Sequence, residues 1–138
     1  MKLGKRHKIF LTTSVVCLAL GFLNYLLFSS HILFFSFLHI HPASSIIIHN
    51  AALRHIVTGY ISDAFWVSAL CLVTIVFTEL KHLSLPERIL ILSLPLLLEF
   101  AQFFQLVAGT FDLADIALYV TVIMIFIFLF PCLLKLQR

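Results

Sequence analysis

ILILSLPLLLEFAQFFQLVA, residues 89–108, contains a single charged side chain, Glu99, in an otherwise apolar run broken only by Ser93, Gln102 and Gln105. Crossing about 30 Å of hydrocarbon takes roughly 20 helical residues, so this stretch has the length a bilayer demands. It lacks the two-residue alternation of a membrane barrel strand, which leaves a helix as the structure that satisfies its own backbone. Three more windows of this kind flank it, at about 9–28, 60–80 and 113–134. Between the first two lies a shorter apolar segment, about 31–40, bracketed by His31, His39 and His41 and followed by Pro42. It is too short to span and reads as interfacial or re-entrant, with a prolonged first helix as the alternative. Residues 41–59 then form an outer loop, with a short helix over about 44–56. The expected fold is an all-α membrane protein, with about four transmembrane helices plus a short interfacial or re-entrant segment, in one domain over residues 1–138.

Composition agrees. Of the 138 residues, 62% are hydrophobic and 11% charged, against about 25% charged in a soluble domain. Too few charges are present to dress a water-facing surface. Cys17, Cys71 and Cys132 each fall in an apolar run without CxxC spacing, as buried or lipid-facing side chains do. Lys2, Lys5, Arg6 and Lys8 precede an apolar run too long for a signal peptide and without a small-x-small cleavage site, so a retained anchor is expected. Lys81 and Arg88 lie between the second and third windows, and Lys135 and Arg138 follow the fourth. An even number of crossings puts these on one side with the N-terminal group and leaves Arg54 on the other. The positive-inside rule makes the rich side cytoplasmic, with both termini there. The net charge of +3 is a topology signal, and no nucleic-acid partner is expected.

A carboxylate at the centre of a membrane helix costs about 2.5–3.5 kcal/mol, which makes the acids the informative residues. Glu79 and Glu87 flank the cytoplasmic loop and need only solvation. Asp63 lies one turn into the second window, and Asp112 and Asp115 open the fourth. Glu99 precedes Gly109 by enough helix to lie about 15 Å deep, near the midplane, with Gln102 at i+3 on the same face. Pro95, one turn before Glu99, is expected to kink the helix. Asn24 falls in the outer half of the first window, and Arg54 with His49 and His55 supplies counter-charge. The pattern predicts an outward polar cleft with Glu99 and Gln102 as its floor, Asp63, Asp112 and Asp115 as its rim and Arg54 as its cation. Asn24, Trp66 and His55 stand in support. The competing reading takes the polar groups as glue between helices and the two aspartates as residues favoured by a helix N-terminus. Trp66, Tyr25, Tyr60 and Tyr119 read as interface anchors or packing. His39-x-His41 with His49 or His55 has the spacing for nitrogen ligation, but interfacial hydrogen bonding accounts for these side chains, and no metal or cofactor is expected. No Ser–His–Asp spacing, HExxH, phosphate loop or dinucleotide fingerprint occurs, so enzyme evidence is weak.

The run Glu99-Phe-Ala-Gln102 followed by Gly109-Thr-Phe-Asp112-Leu-Ala-Asp115, with Tyr60-Ile-Ser-Asp63-Ala-Phe-Trp66 upstream, resembles the VanZ-like family of small bacterial membrane proteins. There an E-x-x-Q pair on one helix precedes a D-x-x-D pair opening the next. The resemblance covers roughly residues 20–130. Tyr119 stands where members commonly have Asn, and the last helix lacks their glycines. The resemblance implies a protein of the bacterial cytoplasmic (inner) membrane, linked to glycopeptide (teicoplanin-type) resistance and the cell envelope, with Asp63, Glu99, Gln102, Asp112 and Asp115 at motif positions. The favoured function is binding of an amphiphilic or cell-wall-related ligand, such as a lipid-linked precursor, in the acidic cleft. Two alternatives stand beside it: an accessory subunit of a larger membrane complex, and a membrane-embedded enzyme using Glu99 or the Asp112–Asp115 pair.

Overall fold

A computed structural model describes residues 4–28, 53, 56–107 and 110–133. They form four α-helices: α1 (Lys5–Phe28), α2 (Ile61–Glu79), α3 (Leu85–Phe103) and α4 (Leu113–Leu129). A π turn, Ile56–Tyr60, runs straight into α2, and a 3-10 turn, Pro131–Leu133, follows α4. No strand occurs among the described residues. The 31–40 segment, the short helix over 44–56 apart from Leu53 and Ile56, Arg54 and His55 lie outside them.

Two helices, α2 and the Lys5–Asn24 part of α1, are long and apolar enough to cross a membrane. Helix α4 is equally apolar but has 17 residues, and α3 carries Glu87, Arg88 and Glu99 along its 19. The two spanning-length helices differ in their surroundings: half of the α2 window is buried, 50%, against 11% for α1. Helix α2 is therefore the central element, packed on α1, α3, α4 and both short turns. Its Val67 and Cys71 meet Leu92 of α3 and Tyr119 and Ile123 of α4 in the core, bordered by Leu96, Leu118, Val122, Phe126 and Ile127. Away from this seam the outward faces stay apolar, with Val15, Leu90, Met124 and Phe128 all exposed.

Contacts at the helix ends define an alternating up-and-down order. At one end the start of α1 meets the end of α2, where Arg6 Nη2 lies 3.1 Å from Glu79 Oε1 and His7 Nε2 donates to Glu79 Oε2 at 3.0 Å. The Arg6 guanidinium also sits over Phe10 and Phe130, 5.2 and 5.9 Å from the ring centroids. Glu79 thus does more than face water; it ties α1 to α2. Arg88, expected as a solvated topology charge, is fully buried at the same end. Its Nε donates to Ser84 O and its Nη1 to Leu133 O, each at 3.2 Å, because the 3-10 turn folds back over the start of α3.

Helix boundaries depart from the hydropathy windows for local reasons. Helix α3 begins at Leu85 rather than near 89 because the Glu87 carboxylate accepts from Ser84 N and Oγ at 2.6 and 2.7 Å, a capping box with Pro86 in the first turn. It ends at Phe103 rather than near 108. Gln105 adopts φ 57°, and the bonds Gln105 N–H to Gln102 O (2.9 Å) and Leu106 N–H to Ala101 O (2.8 Å) close a Schellman turn. Helix α2 ends the same way at Lys81, φ 59°, with His82 N donating to Phe77 O at 2.9 Å. Helix α4 stops at Leu129 instead of near 134 because Pro131 forces Phe130 into extended backbone, φ −129°.

Candidate functional site: an acid-lined groove

The end of the bundle opposite the basic residues collects the polar side chains. Three elements supply them. Helix α2 brings Asp63 in its first turn, the last turns of α3 bring Glu99 and Gln102, and the start of α4 brings Asp112, Asp115 and Tyr119. Between these helices lies a groove of about 400 Å³ lined by Asp63, Trp66, Val67, Leu70, Leu94, Pro95, Leu98, Glu99, Gln102 and Tyr119.

Glu99 is the most buried acid here, 5% exposed. Its Oε2 accepts from the Asp112 backbone N–H at 3.4 Å, a long bond that ties the end of α3 to the start of α4. The depth expected for this residue needs correction. Since α3 stops at Phe103, Glu99 lies one turn, about 6 Å at 1.5 Å per residue, below the helix end and level with the α4 N-cap. It belongs to the polar mouth of the groove and not to a floor at mid-depth. Helix α3 continues unbroken through Pro95, and the apolar side chains Leu94, Pro95, Leu98 and, on α2, Val67 and Leu70 form the deeper part.

Asp63 and Asp112 each accept from a different phenol. Asp63 Oδ2 accepts from Tyr119 OH at 3.1 Å. Asp112 is the N-cap of α4, with Oδ1 accepting from Ala114 N–H at 2.8 Å and Oδ2 from Tyr60 OH at 3.2 Å. The helix-capping account of Asp112 is therefore correct, and the residue also touches the site through its backbone N–H. Asp115 is half-buried on the first turn of α4 and is not among the groove-lining residues. Asn24 faces α2 away from the groove. Its Nδ2 donates to Ser62 Oγ at 2.6 Å and to Val57 O, joining α1 to α2 together with Ser14 Oγ, which donates to Ala69 O at 3.1 Å.

The groove thus gathers Asp63, Glu99, Gln102 and Trp66, keeps Asp112 beside them, and leaves Asp115 and Asn24 out of its lining. Sequence reasoning missed Tyr119 and Tyr60 as partners of the acids. A signal for Tyr119 existed: it follows Asp115 by four residues and Asp112 by seven, so all three share one face of α4. Gly21 was also overlooked. A Cβ at that position would lie 3.0 Å from Trp66 Nε1 and 3.4 Å from Ser62 O, so the bare backbone of α1 is what lets the indole pack there.

Chemically, the mouth offers carboxyl oxygens, a phenol and a primary amide beside a half-exposed indole, with aliphatic side chains beyond. No Ser or Cys lines it among the described residues, and no group of three His, Cys, Asp or Glu side chains among them is placed to hold a metal ion. Comparison with family models, curated proteins and solved structures finds no match for the chain.

Proposed function

We propose that this chain is an integral membrane protein of the bacterial cell envelope that binds an amphiphilic, cell-wall-related ligand in the acid-lined groove. The observation carrying the reading is the groove's division into two chemistries. Asp63, Glu99, Gln102 and Tyr119 stand where α3 ends, and Leu70, Leu94 and Leu98 lie further along. A headgroup fits the first and hydrocarbon the second, and a volume of about 400 Å³ falls in the range of about 300–1,000 Å³ usual for small-ligand sites. The bilayer assignment is supported by the two spanning-length helices and by the large apolar side chains exposed on the outward faces of all four, the kind of surface that lipid covers. In this reading all four helices cross, the bundle's basic end and both termini face the cytoplasm, and the groove opens outward. The E-x-x-Q and D-x-x-D spacing supports membership of the VanZ-like family, and with it a link to teicoplanin-type resistance.

The test is reconstitution in lipid nanodiscs with Trp66, the chain's single tryptophan, as reporter. Saturable change in its emission on adding a cell-wall lipid precursor, lost in Glu99→Leu, is the expected result. An unchanged emission with Trp66 still open to a soluble quencher refutes ligand binding.

A second reading, an accessory subunit of a membrane complex, is favoured by one feature. Phe103, Phe104 and Phe111 form an exposed edge-to-face cluster beside the groove, with centroid separations of 5.2 and 5.1 Å. A stoichiometric protein partner retained in mild detergent, and lost in Phe104→Ser, supports that reading over the first.

A further inference from the structure

Resting on the groove as a ligand site, the geometry points to the kind of headgroup it takes: we propose one that donates hydrogen bonds through hydroxyl or ammonium groups, and not a phosphate or carboxylate. Glu99 carries the argument. The residue is 5% exposed, lines the groove, and among the described residues its carboxyl accepts one long bond, 3.4 Å from the Asp112 N–H. A buried carboxyl has capacity for several donors, and a site that buries one gains most from a ligand supplying them. Gln102, one turn on along the same face, adds an amide that both donates and accepts. The Tyr119 proton is directed at Asp63 and so is turned away from a ligand.

The charge of the described walls points the same way. No Lys, Arg or His lines the groove among the described residues. A phosphate there would meet the Glu99 carboxyl across low-dielectric surroundings, where like charges in contact are strongly disfavoured. Trp66 completes the headgroup site. It is 43% exposed, with one indole edge set against Gly21 of α1. The open ring surface suits the flat face of a sugar or, by cation–π attraction, an ammonium.

The test uses the full chain in zwitterionic nanodiscs and three amphiphiles of equal chain length, an alkyl glucoside, an alkyl ammonium and an alkyl phosphate, compared at equal mole fraction in the disc. Saturable Trp66 emission changes with the glucoside, the ammonium or both are expected, at a concentration roughly tenfold below that for the phosphate. A glucoside response alone assigns the site to hydroxyl headgroups, and an ammonium response alone to cationic ones; either supports the proposal. In Glu99→Gln the discrimination against phosphate narrows, and Asp63→Asn serves if that variant does not fold. Glu79→Gln, at the opposite end of the bundle, leaves the ranking unchanged. Phosphate binding as tightly as the other two overturns the headgroup assignment while preserving the groove as an amphiphile site. No saturable response to any of the three overturns the groove reading itself.

Discussion

At the scale of single residues, two contacts set the groove wall and both are testable. Tyr119, 8% exposed, spends its hydroxyl on Asp63. Tyr119→Phe keeps the ring in the core and removes only that bond, leaving the carboxylate with one donor fewer. A hydrogen bond between membrane helices contributes about 0.5–2 kcal/mol, so the variant is expected to lose about that much in reversible unfolding in detergent. A Tyr119→Phe protein as stable as wild type would remove the phenol from the account. Gly21 acts differently. Alanine there gains about 1 kcal/mol of helix propensity but brings a methyl to 3.0 Å from Trp66 Nε1, so the indole must shift. Gly21→Ala is expected to leave stability within about 1 kcal/mol of wild type while changing Trp66 emission and quencher access. Gly21→Leu, too large for any small adjustment, is expected to destabilise by about 1–3 kcal/mol. Identical Trp66 spectra in wild type and Gly21→Ala would show that the indole is positioned by something else. Neither contact follows from hydropathy, because each depends on which faces of two helices meet. The Tyr119 face was inferable from its spacing to Asp115, whereas nothing in the chain announces that Gly21 lies opposite Trp66.

At the scale of elements, existence was legible and boundaries were not. An apolar run of bilayer length is a strong signal, and each of the four windows contains a helix. Where a helix starts or stops is decided by a few hydrogen bonds that hydropathy does not weigh. The Ser84–Glu87 capping box was readable as an S-x-x-E signature before an apolar run, but Glu87 equally fits a solvated loop charge, and hydropathy does not separate the two. The end of α3 was not readable, because the left-handed position at Gln105 is filled by a residue without glycine's preference for it. That mismatch gives a prediction. Gln105→Gly removes the side-chain clash at φ 57° and is expected to stabilise by about 0.5–1 kcal/mol, the relief being partly offset by glycine's freedom in the unfolded chain. Gln105→Val, β-branched, is expected to destabilise. Equal melting temperatures for all three would mean that α3 does not end there. The capping box predicts a pH dependence. Bonds from Ser84 Oγ and N–H hold the Glu87 carboxyl below its usual range. The group therefore stabilises the helix at pH above the ordinary carboxylate value, and the contribution fades as pH falls through its depressed folded value. Glu87→Gln is expected to flatten the acid limb of the stability curve and to leave the alkaline limb unchanged.

At the scale of the whole molecule, the fold is polarised: described basic side chains gather at one end of the bundle and acids at the other, with Glu79 and Glu87 the exceptions. Those two explain themselves as a latch for α1 and a helix cap, so they do not weaken the polarity. The convergence of Asp63, Glu99 and Gln102 on one groove was legible because burying such groups separately would cost more than burying them together. The misplaced depth of Glu99 came from the unread helix end, and an error of one turn is enough to turn a mouth into a floor. In the proposed topology this polarity is the orientation signal itself. Single cysteines introduced at Lys81 and at Leu113, exposed positions at opposite ends, in a background with Cys17, Cys71 and Cys132 replaced by serine or alanine, make it measurable. In intact bacterial cells a membrane-impermeant maleimide is expected to label Leu113→Cys and to reach Lys81→Cys only after the membrane is opened. Labelling of both in intact cells denies a bilayer between the two ends. The reverse pattern keeps the membrane but turns the groove to the cytoplasm, where an envelope ligand approaching from outside could not reach the Glu99 mouth.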